Sequence, residues 1–100
     1  MLKDLESFLN NKEKEKLSKI ECYLTLSGYH LYSYNLFKLA NNGKKYDYRY
    51  VNNNYIIDIR FIVYEKILFV SSSFQELGVS TYINSFSNID ELEEWLLKVV

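Results

Sequence analysis

Apolar and polar positions along the chain change period twice. Leu2, Leu5, Phe8 and Leu9 have helical spacing, but Asn10, Asn11 and the charged run Lys12 to Lys16 interrupt the stripe, which leaves a short first helix or a frayed arm. From Glu13 the helical period resumes with Leu17, Ile20 and Leu24, and Gly28 supplies the residue best suited to the left-handed position after a helix end. This predicts a helix over about 13 to 27. A strand over Ile20 to Ser27 is the rival, because Ile20, Cys22, Leu24 and Leu26 also alternate with less apolar residues.

After Gly28 the period falls to two, and tyrosine and β-branched residues dominate, as on a pleated surface. Asn42-Gly43 is the strongest hairpin signal, since both central residues of a type I′ turn need positive φ. Counting outward from it, Leu39 faces Tyr46, Lys38 faces Asp47, Phe37 faces Tyr48 and Leu36 faces Arg49. The next connection, Asn52-Asn53-Asn54, is ambiguous by one residue. A turn at Asn52-Asn53 sets Asp47 against Asp58, a destabilising like-charge contact. A turn at Asn53-Asn54 instead sets Arg49 against Asp58 and Asp47 against Arg60, and aligns Tyr50 with Ile57, Tyr48 with Ile59 and Tyr46 with Phe61. The second register is preferred.

A third hairpin with Glu65-Lys66 at its tip pairs Val63 with Leu68, Phe61 with Val70 and Ile59 with Ser72. Val79 to Phe86 reads as a fifth strand. Asn88 with Glu91 three residues on makes a capping-box-like start to a final helix, whose buried stripe is Ile89, Leu92, Trp95, Leu96 and Val99. The order α-α-β-β-β-β-β-α describes an α+β fold, an antiparallel meander of about five strands with helices from both termini on one face.

Length adds one constraint: 100 residues suit one domain, 1–100, because two cores would each be too small. Twelve Lys and Arg offset thirteen Asp and Glu, which removes the positive field of a dedicated nucleic-acid binder and equally the acidity of a DNA mimic. Cys22 is the single cysteine, so no intramolecular disulfide or multi-cysteine zinc site forms, and a reducing compartment fits. The first ten residues lack a signal-peptide stretch, and no apolar run is long enough to span a bilayer. A cytoplasmic location is expected, the host cytoplasm if the chain is viral. Ten Tyr, ten Asn, ten Lys and eight Ile against one Ala and no Pro follow AT-rich codon usage, which suits a low-GC bacterium, its phages or an archaeal virus.

The inventory of reactive groups is thin. His30 and Cys22 are both single, Cys22 is expected to be buried by its helix, and no nucleophile elbow, P-loop, dinucleotide fingerprint or H-E-x-x-H is present. No catalytic residue, cofactor or metal is expected. Asp47 and Asp58 share a face, but each has an arginine partner that an ion would have to displace. The acids Asp90, Glu91, Glu93 and Glu94 complement a helix macrodipole, each contributing about 0.3–1 kcal/mol. Tyrosines resemble a stacking platform for single-stranded nucleic acid, yet Tyr46, Tyr48 and Tyr50 fall on the core face, leaving Tyr32, Tyr34, Tyr55, Tyr64 and Tyr82.

What remains is the opposite face, where Lys38, Asp47 and Arg60, and Arg49 with Asp58, form cross-strand ladders. Tyr34, Leu36, Val51 and Ile56 flank them at one end, Ile62 and Phe69 at the other. Charge beside apolar patches has the composition of a protein-docking surface. The expected function is therefore a small non-enzymatic protein-protein interaction module, for instance an inhibitor or immunity-type antagonist that covers a larger enzyme. Its candidate surface is Tyr34, Leu36, Lys38, Asp47, Arg49, Asp58, Arg60, Ile62 and Phe69. A homodimer through the open face or an edge strand is a close variant. The alternative is nucleic-acid binding through exposed Tyr and Lys.

Overall fold

The computed structural model describes residues 5, 7–65, 67–76 and 81–100, the side chains of Thr81 and Tyr82 apart. Helix α1 runs Asn11–Leu26 and helix α2 runs Ile89–Val99; between them lie strands β1 (His30–Lys38), β2 (Lys44–Asn52), β3 (Tyr55–Tyr64), β4 (Ile67–Glu76) and β5 (Thr81–Phe86). The strands form one antiparallel sheet in the order β1-β2-β3-β4-β5, so the α+β meander expected from the pattern is the observed fold.

Helix α1 begins two residues before the expected start, because Asn10 is its cap and not a break. The Asn10 carboxamide oxygen accepts from the Glu13 N–H at 2.8 Å, and the Glu13 carboxylate accepts from the Asn10 N–H at 3.0 Å, which satisfies two of the helix's orphan donors. At the other end Gly28 takes φ +89°, the Gly28 N–H donates to the Thr25 carbonyl at 3.1 Å, and the Tyr29 N–H donates to the Leu24 carbonyl at 2.9 Å. That is a Schellman stop, with buried Tyr29 as its apolar closure. The strand reading of 20–27 is thereby excluded. The Asn52 side chain adds a tie, donating to the Ser27 carbonyl at 3.0 Å.

Leu17, Ile20 and Leu24 are the buried stripe of α1. Cys22, expected inside, is exposed. At 100° per residue it lies about 200° around the helix from both Ile20 and Leu24, on the far side. The proposed first helix lies mostly outside the described residues, but Leu5 and Leu9 are buried in the core and Phe8 is partly exposed.

The register of β2 with β3 is the one that charge and aromatic alignment select: Arg49 opposite Asp58, Asp47 opposite Arg60, Tyr48 opposite Ile59. Asn53, at the turn, has φ +47°. The β3–β4 pairing also agrees, with Val63 opposite Leu68 and Phe61 opposite Val70; Glu65 at the tip has φ +50°, while Lys66 is outside the described residues. Strand β5 begins at Thr81, its expected first two residues lying outside the described set.

The first hairpin differs. Its left-handed residues are Asn41 (φ +58°) and Asn42 (φ +61°), inside a short 3-10 turn over Ala40–Asn42, while Gly43 is extended at φ −71°. The connection is therefore five residues long, closed by the Leu39 N–H donating to the Gly43 carbonyl at 2.8 Å. Tyr34 now faces Tyr48, Leu36 faces Tyr46, and Lys38 faces Lys44. A shift by an odd number of residues turns a strand over. Tyr34, Leu36 and Lys38 consequently sit on the helix side and Phe37 on the open side, the reverse of the expectation. The stacking of Tyr34 on Tyr48, with centroids 4.8 Å apart and planes 16° off parallel, belongs to this register alone.

Gly43 serves space and not φ. A Cβ there would lie 2.3 Å from a ring carbon of Tyr64, which crosses it from β3. Gly43→Ala is expected to cost about 1–3 kcal/mol through overpacking. In a Tyr64→Ala background most of that cost should vanish, a coupling that urea denaturation of the four-variant cycle measures.

Helix α2 starts at Asn88, whose side chain accepts from the Glu91 N–H at 3.0 Å; the Glu91 carboxylate reaches one residue further back, to the Ser87 N–H at 2.9 Å. Ile89, Leu92 and Leu96 are buried, and Trp95 tilts against Phe86 at 5.7 Å. Both helices cover the same face of the sheet, over Tyr46, Tyr48, Tyr50, Ile57, Ile59, Phe61, Val63 and Val70. Among the described residues no helix is long and apolar enough to cross a membrane.

Candidate functional site

Because successive side chains in a strand point to opposite faces, burying Tyr46, Tyr48 and Tyr50 sends Lys45, Asp47 and Arg49 to the other side. Among the described residues no helix covers that side. Its residues form rows across the sheet: Asn35, Asp47, Arg60, Ser71 and Ser85 in one, and Ser33, Arg49, Asp58, Ser73 and Ile83 in the next. A third row, Phe37, Lys45, Ile62 and Phe69, lies toward the end that carries the 39–43 connection.

The charges are paired within and between rows. Arg49 grips Asp58 with two parallel bonds, Nε to Oδ1 at 2.8 Å and Nη2 to Oδ2 at 3.0 Å. Arg60 Nε donates to Asp47 Oδ1 at 2.8 Å, and Lys45 Nζ lies 3.6 Å from Asp47 Oδ2. The hydrogen bonds that Arg49 donates to Asp58 hold its guanidinium above its already high usual pKa. Both arginine side chains are nearly half exposed, so each pair contributes at most about 1 kcal/mol to folding. Their larger effect is to fix where charge stands on the face.

Around these pairs the surface is hollowed. Ser33, Asn35, Asp47, Tyr48, Arg49, Asp58 and Arg60 line an open concavity of about 200 Å³. A smaller one, about 70 Å³, adjoins it beside Ser71, Ser73 and Ile83. Apolar side chains flank the charged rows: Phe37 is 46% exposed, Phe69 53%, Ile67 58% and Ile83 71%. Lys45 Nζ stands 5.2 Å from the Phe37 ring centroid, joining the apolar flank to the charged rows by a cation–π contact.

The chain matches no family model, no curated protein and no solved structure. Its site is therefore read from its own residues.

Six of the nine residues expected on this face are there: Asp47, Arg49, Asp58, Arg60, Ile62 and Phe69. Tyr34, Leu36 and Lys38 are not, for the reason of register given above, and Ser33, Asn35 and Phe37 stand in their place. Lys45, not Lys38, is the lysine beside Asp47. Ser71, Ser73 and the exposed Ile67 carry no sequence signal of their own, although the β3–β4 register places them opposite Arg60, Asp58 and Tyr64.

Other candidate groups are accounted for locally. Tyr46, Tyr48 and Tyr50 are core residues, and Tyr55 stacks on Phe74 at 5.6 Å. Of the acids at the start of α2, Glu91 caps the chain, Asp90 pairs with Lys16 of α1, and Glu93 lies 3.9 Å from the same ammonium. The hydrogen bond with Lys16 holds the Asp90 carboxyl below its ordinary value. His30 is exposed at the start of β1, and Cys22 is exposed on α1. Glu21 tucks its carboxylate beside Tyr48 and Tyr50, where burial pushes its pKa up. Among the described residues, no group of three or more His, Cys, Asp or Glu is placed to hold a metal ion.

Proposed function

We propose that this chain is a small protein-protein interaction module that acts by docking its open sheet face on a larger protein, in the manner of an inhibitor or immunity-type antagonist. The observation that supports this is the juxtaposition, on a face that no helix covers among the described residues, of positioned arginine-carboxylate pairs with the half-exposed rings of Phe37 and Phe69. Aromatic and arginine side chains are the types that dominate binding energy at protein interfaces. The paired charges supply register and selectivity more than raw affinity. A partner matched to this face presents apolar side chains to the Phe37, Ile67 and Phe69 end, and both signs of charge to the centre.

The double substitution Arg49→Glu and Arg60→Glu is expected to weaken binding to a partner isolated from the native host by at least about tenfold, since it leaves four acids facing that partner. Calorimetry gives the affinity, and circular dichroism checks folding. Phe69→Ala, which alters stability by no more than about 0.5 kcal/mol at so exposed a position, should also weaken binding. Full affinity in both folded variants would remove the open face from the proposal. Nucleic-acid binding draws less support, because the central tyrosines that could stack on bases are buried. Loss of nucleic-acid affinity with rising salt would revive it.

A further inference from the structure

The edge of the sheet carries a second message, independent of the open face. Strand β1 is nine residues long and lies at the end of the strand order, and no other strand flanks it among the described residues. Its outer backbone row is a template for another strand. The devices that usually blunt such an edge are confined to its ends: a bulge between Leu31 and Ser33, and the cationic Lys38. Between them Tyr34, Asn35, Leu36 and Phe37 carry no charge and no proline. Strand β5, the other edge, is only six residues long.

We infer that β1 pairs with β1 of a second copy, antiparallel and centred on Asn35, joining two five-stranded sheets into one of ten. A two-fold axis sets the central residue against itself, which a charged side chain resists and a carboxamide, with both donor and acceptor, welcomes. Asn35 is that residue. In this register Tyr34 of each copy lies opposite Leu36 of the other on the helix side, continuing the core rows of Tyr48 and Tyr46. There they cover Leu36, which is 45% exposed on the single chain. On the open side each Phe37 lies opposite a Ser33, so face matches face. The two Lys38 residues each stand three positions from the axis, about 20 Å apart at strand rise, too far to repel strongly through solvent. A net charge of −1 opposes association little. The two concavities that include Ser33 and Asn35 then meet across the axis.

Light scattering on the full-length chain across a concentration series is the test. The mass should climb from 12.0 kDa toward twice that value. Asn35→Lys should weaken the dimer at least about tenfold by opposing two ammonium groups at the axis, with the circular dichroism spectrum unchanged. In a Cys22→Ser background, Asn35→Cys should cross-link under mild oxidation, because opposed residues of an antiparallel pair hold their Cα atoms about 4.5–5.5 Å apart, within disulfide range. Ser85→Cys, on the same face of β5, should not. A mass that stays at 12.0 kDa, or a dimer that Asn35→Lys leaves unchanged, overturns the pairing; failure of Asn35→Cys to cross-link overturns the register.

Discussion

Tyr48→Ala should destabilise the fold by about 3–5 kcal/mol, the range for removing a large aromatic side chain from a packed core. The residue is 1% exposed. Its ring lies on Tyr34, meets Phe61 edge-on at 6.0 Å with planes 78° apart, and sits opposite Ile59 beneath α1. Removing it opens a cavity at the point where the edge strand, the middle of the sheet and the first helix meet. Because 1 kcal/mol shifts the midpoint of a domain of this size by about 4–8 °C, Tm should fall by more than about 10 °C. Tyr32→Ala is the comparison, being on the same sheet but 69% exposed, and should alter stability by about 0.5 kcal/mol or less. Equal costs for the two variants would contradict the assignment of Tyr48 to the core.

The middle of the sheet was legible because two unrelated chemistries agreed there. Opposing Asp47 to Arg60 and Arg49 to Asp58 avoids a like-charge contact, and the same shift aligns three tyrosines with Ile57, Ile59 and Phe61; either alone would have been weak. In β1 only one signal was available. Leu36 and Phe37 are adjacent apolar residues, so alternation did not say which faced inward, and Asn-Gly decided the register by local turn chemistry. The physical reason for Gly43 is a ring from β3 that packs over it, a contact no local rule can see. The exposure of Cys22 and the cap at Asn10 were different. Angular position around the helix and the Asn-x-x-Glu spacing are both written in the residues themselves. Of the open face, the part built by β2 and β3 was therefore readable, whereas the part built by β1 inherited the error of its turn.

Leu24→Ala is expected to cost about 2–5 kcal/mol, more than its volume alone suggests for a residue near a helix end. Nearly half of α1 is charged, and its buried residues are Leu17, Ile20 and Leu24. An isolated helix of this length is marginal in water, so its persistence rests on that packing and not on propensity. Leu24, with no exposed surface, is also the residue whose carbonyl closes the Schellman turn through Tyr29. Shortening its side chain therefore loosens the seat and the stop together. Leu26→Ala, two residues on at 87% exposed, should have almost no effect. The manner of unfolding matters as much as the midpoint. Helix α1 covers Tyr48, Tyr50, Ile59 and Phe61, so a detached helix leaves the centre of the sheet wet and the remainder without a closed core. Far-ultraviolet ellipticity and tyrosine fluorescence should consequently melt at one shared, lowered temperature in the Leu24→Ala protein. Two separated transitions, with helical signal lost first and the sheet persisting, would mean that the sheet and α2 carry enough core of their own, and that α1 is an accessory layer.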